Sequence, residues 1–239
     1  MRSFVTLMDI ARILGRSLRD TSRLLERSRL QSRLISGQPH WVRDDVLHWL
    51  EQMFDSLTVD RLRDVDIAGS ELTGMSSESC FVSAALGPET IHPWVNANTA
   101  SSMLRALAEL ACATGRTWDR QALQDELEER ERAGSTALTN MVAFPHPRDV
   151  RRLYLEEDIL LLVRPHHGIP FGADKGRLTS IFFLMAFRRP DRHLQVLARL
   201  NRMVRDADFL EGLLDAEDWK RMLELVTERE CRIVRENRS

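Results

Sequence analysis

The chain has 239 residues, 43% hydrophobic and 29% charged, with a formal net charge of −2 at pH 7, and this reads as soluble and globular with enough apolar material for one large core or two modest ones. Its longest apolar runs, 159–163 and 181–187, fall far short of the roughly 20 residues a membrane helix requires, which excludes a bilayer-spanning protein. The charge is uneven: residues 1–54 carry nine arginines against six acidic residues, a net of +3, and the remainder carries −5, as expected of a small nucleic-acid module joined to something else.

The amino terminus, MRSFVT, lacks the apolar stretch and cleavage site of a secretory signal, so the expected location is the cytoplasm. Leu7, Ile10, Ala11 and Leu14 recur at helical spacing and Gly15 stops them, predicting a helix over 6–14. After a tight turn, Ser17 can cap a second helix reaching about Arg27, with Leu24 and Leu25 inward and Arg16, Arg19 and Arg23 pointing elsewhere. Residues 33–35 and 40–42 flank Ser36-Gly37-Gln38-Pro39 as two short strands about a turn, and a third helix follows over 44–54. Periodicity fades between residues 55 and 77, where Ser, Thr, Gly and Asp collect; this predicts a linker holding at most one helical turn, and a domain boundary, with the second domain running over 78–239.

In the second domain Asn98 can cap a helix carrying Met103, Leu104, Leu107, Leu110 and Ala111 as far as Gly115, and a charged helix spans 119–132. The apolar runs 159–163 and 178–187 read as buried strands, Pro190 opens a helix with Val196, Leu197, Leu200, Met203 and Val204 on one face, and two more helical stretches finish the chain. Helices alternating with buried strands predict an α/β layered domain. Cys80, Cys112 and Cys231 are far apart in sequence with no C-x-x-C pairing, so reduced core or surface thiols are expected, with neither a disulfide framework nor a thiolate zinc site. His166 and His167 adjoin Gly168-Ile169-Pro170 and read as a solvated loop rather than metal ligands, since no partner spacing appears.

Helix, tight turn, helix, β-hairpin, helix within about fifty residues is the order of a winged helix-turn-helix. The string TLMDIARILGRSLRDTSRLLERSRLQSRLISGQPHWVRDDVLHWLE resembles the excisionase-like and mercury-resistance-regulator-like DNA-binding domains. That resemblance implies that the second helix enters the major groove, presenting Arg16, Ser17, Arg19, Asp20 and Arg23, while the hairpin tracks a neighbouring groove or backbone with Arg33 and Arg43 beside it. Guanidinium groups suit both phosphates and guanine edges. The alternative is a small helical module that binds protein and whose arginines are merely solvated.

The most informative stretch is Arg130 to His146, RERAGSTALTNMVAFPH. It resembles the enzyme IIA proteins of the fructose, mannitol and nitrogen-regulatory class of the bacterial sugar phosphotransferase system, whose pattern is REK-x-GST-G-x-GNG-x-A-x-PHG. The likeness extends over about residues 78–228, including DRHLQVLARL, and implies a mixed β-sheet flanked by helices. It also implies that His146 accepts a phosphoryl group, that Arg130 supplies the cation, that Thr136 and Asn140 offer neutral donors, and that His193 is a second active-site histidine. The chemistry suits those residue types: neutral imidazole is a nucleophile near pH 7, and the phosphohistidine it forms carries negative charge that a planar guanidinium can hold. Pro145 fixes the backbone before the acceptor. His193 falls in the first turn of its helix, where the positive dipole end favours neutral imidazole and attracts anions. Read without the family, these residues are a surface arginine, a helix-exit threonine, a turn asparagine and a buried structural histidine. The chain departs from the pattern at Ala137, Leu138 and Met141, where glycines surround the asparagine, and at Pro147, which replaces the glycine after the histidine and removes an N–H.

Together these features predict a cytoplasmic two-domain regulator that takes phosphate from an HPr-like phosphocarrier on His146 and passes the change in charge to DNA or to a regulated partner protein. No cofactor and no metal are implied. Two alternatives stand beside it: a silent enzyme IIA-like module that only binds protein, and a phosphoryl carrier serving a IIB domain of a sugar permease.

Overall fold

Thr6 begins the first helix by a reciprocal cap: its hydroxyl accepts from the Asp9 N–H at 3.2 Å and the Asp9 carboxylate accepts from the Thr6 N–H at 2.8 Å. In this computed structural model, which describes residues 4–138, 140–173 and 176–238, helix α1 spans Leu7–Leu14 and buries Ile10, Ala11 and Leu14, as the spacing predicts. Gly15 ends it with φ 59°, and a Cβ there would meet the Asp64 carbonyl oxygen at 2.9 Å, so both backbone dihedral and close approach demand glycine. Helix α2 (Leu18–Arg27) is capped by Ser17, whose hydroxyl accepts from the Asp20 N–H at 3.1 Å. Strands β2 (Ser32–Ile35) and β3 (Gln38–Val42) form an antiparallel hairpin. Its turn is tighter than expected, because Ser36 and Gly37, at φ 51° and 78°, make the two-residue turn whose twist matches the strands. A third strand, β1 (Phe4–Thr6), pairs antiparallel with β3 and gives the order β1-β3-β2; three residues are too few to show a period. Helix α3 (Arg43–Phe54) follows and buries Val46, Leu50 and Phe54.

The stretch expected to be a linker, 55–77, is instead largely helix α4 (Val59–Thr73), capped by Thr58 and ended by Gly74 at φ 75°. Its buried residues are Leu62, Val65, Asp66, Gly69 and Thr73, which do recur at helical spacing, but three of those five are polar or small. The reason is the partner: helix α8 (Pro190–Met203) presents Gln195, Arg199 and Arg202 to it. Asp66 accepts from Arg199 Nε at 2.6 Å and from Arg202 Nη1 at 3.2 Å, Thr73 donates to Gln195 Oε1 at 2.6 Å, and the Gln195 side chain fills the space a Cβ on Gly69 would occupy. Arg199 Nη2 also donates to the Ser77 carbonyl at 2.7 Å. All three side chains of the Asp66–Arg199–Arg202 cluster are essentially inaccessible.

The chain divides into two compact units, the first made of Met1–Ser79, Pro190–Arg202 and Glu236–Ser239, the second of Cys80–Arg189 and Met203–Arg235. The stretch 78–239, expected as one continuous domain, therefore lends α8 and its final residues to the first unit. The reason lies in the polar match just described.

In the second unit, strands β4 (Ile91–Val95), β5 (Val142–Ala143), β6 (Ile159–Pro165) and β9 (Ile181–Ala186) form a mixed sheet of order β4-β6-β9-β5. The pairs β4·β6 and β5·β9 are parallel and β6·β9 is antiparallel. Every residue of β6 and β9 is buried, which explains the unbroken apolar runs. Helices α6 (Ala100–Ala113) and α7 (Arg120–Arg132) pack Met103, Leu104, Leu107, Leu123 and Leu127 against Leu161, Val163, Phe182 and Leu184 of the sheet. The cap of α6 is Thr99 rather than the expected Asn98. The expected single strand 178–187 is split, since β8 (Leu178–Thr179) leaves the main sheet to pair with β7 (Ile169–Pro170). A short helix α5 (Phe81–Ala84) opens the unit, and α9 (Ala207–Asp215) and α10 (Trp219–Arg238) close the chain. No helix among the described residues is long and apolar enough to cross a membrane.

Candidate active site

His146 lies just beyond β5 on a segment held against β9: the Pro145 carbonyl accepts from the Met185 N–H at 2.9 Å. Its ring is buried, 6% exposed, and both nitrogens are engaged. Nδ1 lies 2.8 Å from the Phe144 carbonyl oxygen, and Arg130 Nε donates to Nε2 at 2.9 Å. A carbonyl can only accept, so Nδ1 carries the proton, and the guanidinium can only donate, so Nε2 carries the lone pair. The two contacts fix one tautomer of a neutral imidazole.

Helix α7 supplies the cation. Arg130, itself 6% exposed, also donates from Nη1 to the Gly134 carbonyl at 2.9 Å, which ties the helix end to the loop after it. Four residues earlier, and so on the same helical face, Glu126 is buried. Its carboxylate accepts from the Asp149 N–H at 2.8 Å and from Arg152 Nη1 at 3.1 Å, while its carbonyl accepts from the Arg148 N–H. One face of α7 thus grips the acceptor loop on both sides of Pro147. The sequence marked Arg130 on this charged helix but not Glu126, for which the i, i+4 spacing from Arg130 was the signal available.

The residues expected to offer neutral donors already have partners. The Thr136 hydroxyl donates to Glu131 Oε2 at 2.7 Å and its N–H donates to the same carboxylate; the Ser135 hydroxyl lies 2.6 Å from Glu131 Oε1. Glu131, which sequence reasoning passed over, therefore knots the GST turn. Asn140 Nδ2 donates to the Val204 carbonyl at 2.6 Å. Beside it Met141 adopts φ 68° with 41% of its surface exposed. It keeps the left-handed backbone that the glycine of the family pattern would adopt freely.

His193 belongs to the first unit, in the opening turn of α8, and its Nε2 lies 3.3 Å from Glu51 Oε1 on α3. Nothing in the sequence marked Glu51. In the same unit Ser17 is spent as the α2 cap, and Arg19, Arg23 and Arg33 are exposed while Arg43 is half-buried. Arg16 is half-buried, and burial first, then neighbouring Arg61, lowers its pKa. His166 is not simply solvated: its ring stacks on Trp94 at 5.7 Å, and Trp94 also covers the Arg164 guanidinium at 4.1 Å. Arg164 donates to the Leu213, Leu214 and Ala216 carbonyls at the end of α9, a helix-end cap rather than a ligand site.

A neutral histidine with its lone pair aimed at a buried guanidinium, at the edge of a helix-flanked mixed sheet, has the equipment of a covalent carrier of an anionic group. The chain belongs to the EIIA 2 family of the phosphoenolpyruvate-dependent sugar phosphotransferase system, whose family model matches residues 85–229. It is similar to a nitrogen regulatory protein of Bradyrhizobium diazoefficiens, 31% identical over 138 residues that make up 56% of this chain and 86% of the relative. It is also similar to a fructose-specific EIIA component of Haloferax volcanii, 29% identical over 54% of this chain and 84% of that protein. Among solved structures, nitrogen regulatory protein IIA-Ntr of Neisseria meningitidis superposes with a TM-score of 0.55 at 19% identity, covering 61% of this chain and 98% of the other. IIA mannitol of Escherichia coli gives 0.53 at 23% identity, covering 59% and 98%. These likenesses carry the enzyme IIA fold.

Proposed function

We propose that the protein accepts a phosphoryl group on Nε2 of His146 from an HPr-like phosphocarrier and works in the cytoplasm as a nitrogen-regulatory type of enzyme IIA. The observation that carries this reading is the pair of contacts on the imidazole, Nδ1 to the Phe144 carbonyl and Nε2 to Arg130 Nε. The lone pair on Nε2 forms the N–P bond as the bond from phosphorus to the donor breaks. No proton has to leave the attacking atom. Nδ1 keeps its proton and goes on donating it to the Phe144 carbonyl, which supports the positive charge the ring acquires, and the Arg130 N–H turns from the nitrogen to a phosphoryl oxygen. On the family pattern His193 is the second histidine, and Thr136 and Asn140 reach phosphoryl oxygens by exchanging their present partners.

The amino-terminal segment adds a DNA-binding role, with Arg16 and Ser17 at the start of α2 and Arg19 and Arg23 on it facing a major groove, and Arg33 and Arg43 on a neighbouring groove or backbone; phosphorylation would then alter occupancy of DNA or of a regulated protein. Its support is the element order and the exposed arginines. Binding to duplex DNA should fall steeply with added salt; no salt-sensitive binding removes this part alone.

A second reading, a phosphorylation-silent protein-binding module, is favoured by Pro147, which offers no N–H, and by Met141 in a glycine-type conformation. A complex of IIA mannitol with phosphorylated IIB mannitol is known in Escherichia coli, and a IIB partner for this chain is the third reading. Incubation with a phosphorylated carrier separates them. Label on the wild type and none on His146→Ala supports acceptance, no label on either supports the silent module, and onward transfer to a IIB domain supports the third.

A further inference from the structure

Two of the three cysteines, 151 positions apart in sequence, meet in the second unit: the sulfurs of Cys80 and Cys231 lie 3.5 Å apart. Cys80 stands directly before α5 and Cys231 lies on α10. Their neighbours hold the two backbones together without help from sulfur. The buried carboxylate of Glu230 accepts from the Val82 N–H at 2.8 Å, the Ser83 N–H at 2.7 Å and the Ser83 hydroxyl at 2.8 Å. Both thiols are partly exposed, so a small oxidant can reach them. Closing the gap to a bonded distance of about 2 Å takes a rotation and small shift of two side chains rather than a rearrangement of the fold.

We propose that Cys80 and Cys231 are a redox pair that a hydroperoxide converts to an intramolecular disulfide, fastening the point where the chain enters the second unit to its last helix. One thiolate attacks a peroxide oxygen, the O–O bond breaks, and a sulfenic acid and hydroxide form. The other thiolate attacks the sulfenic sulfur and displaces a second hydroxide. The two thiol protons neutralise these, so that two thiols and one hydrogen peroxide give one disulfide and two waters. The anchored geometry favours the second step over further oxidation, because the resolving sulfur is already in contact. Cys112 supplies an internal control: it stands outside the pair, and burial raises its pKa and so lowers its own thiolate fraction.

The test uses the full chain treated with hydrogen peroxide, followed by thiol titration and peptide mass spectrometry under non-reducing conditions. Wild type and Cys112→Ser should each lose two titratable thiols, remain monomeric in mass, become about 2 Da lighter and yield a linked Cys80–Cys231 peptide that reductant releases. Cys80→Ser and Cys231→Ser should yield no linked peptide and should instead oxidise further at the remaining sulfur. The proposal is overturned if the wild type keeps all its thiols, if the link forms only between chains, or if both sulfurs go to sulfinic acid unlinked. None of these results depends on whether His146 is phosphorylated.

Discussion

Arg130→Ala tests the acceptor site most directly, because under the proposed function one guanidinium does two different things in the two states of His146. In the unphosphorylated protein it donates to a buried Nε2 at 2.9 Å. Removing it leaves that nitrogen without this donor at a cost of about 1–3 kcal/mol; the Gly134 carbonyl, in an exposed turn, can turn to water. In the phosphorylated protein the same guanidinium meets an anionic oxygen. The hydrogen bond given up to Nε2 and the one gained roughly cancel, and the added Coulomb attraction is about 4 kcal/mol per unit charge at 4 Å and an effective dielectric of 20. With partial screening at the mouth of the site, about 1.5–3 kcal/mol remains, which corresponds to a shift of roughly 10- to 100-fold in the phosphoryl equilibrium. The assay is the partition of labelled phosphate between an HPr-like carrier and folded variant, with melting curves showing that the variant is native at the assay temperature. An unchanged partition in folded Arg130→Ala would refute the assignment of Arg130 as the phosphoryl cation.

Asp66→Ala should destabilise the first unit by about 3–5 kcal/mol in urea titration, since it strands the buried guanidinium groups of Arg199 and Arg202; a loss below about 1 kcal/mol would mean the cluster is solvated. At position 141, replacing Met by Ala removes its partial packing and going on from Ala to Gly relieves the φ 68° backbone, so Met141→Gly should be more stable than Met141→Ala by about 0.5–1 kcal/mol, read from paired denaturation curves. The carboxyl of Asp9 is held below its ordinary value of 3.8, first by the Thr6 backbone N–H and also by the Thr6 hydroxyl and nearby arginines, against an opposing effect of burial. Because the folded pKa is the lower one, its contribution is complete above the ordinary value and disappears as pH falls through the folded value. Thr6→Ala should cost about 1 kcal/mol at neutral pH, and the difference from wild type should shrink on acidification below pH 4; a difference independent of pH would count against the capping box.

The family was legible in one run of residues, Arg130 to His146, because the family's pattern holds particular side chains in a fixed order, and that order survives changes at Ala137, Met141 and Pro147. Long amphipathic helices such as α6 and the apolar runs 159–163 and 181–186 of strands β6 and β9 were equally legible, since their burial pattern is written in consecutive residues. The sequence did not betray β1 or β5, which are two or three residues long and exist only because β3 and β9 offer them hydrogen-bond partners.

What tertiary structure alone decided is where polar residues are buried. Helix α4 looked like a linker because its inner stripe contains Asp66, Gly69 and Thr73, and those become core only opposite Arg199 and Gln195 of α8, some 120–130 residues away. Which ring nitrogen of His146 keeps its lone pair, and the engagement of Thr136 by Glu131, likewise depend on donors and acceptors set by the folded chain. Apolar burial follows from local periodicity and can be read along the chain. The burial of a charge or amide is tolerable only where a distant group completes its hydrogen bonds, and that partner is identified by the fold.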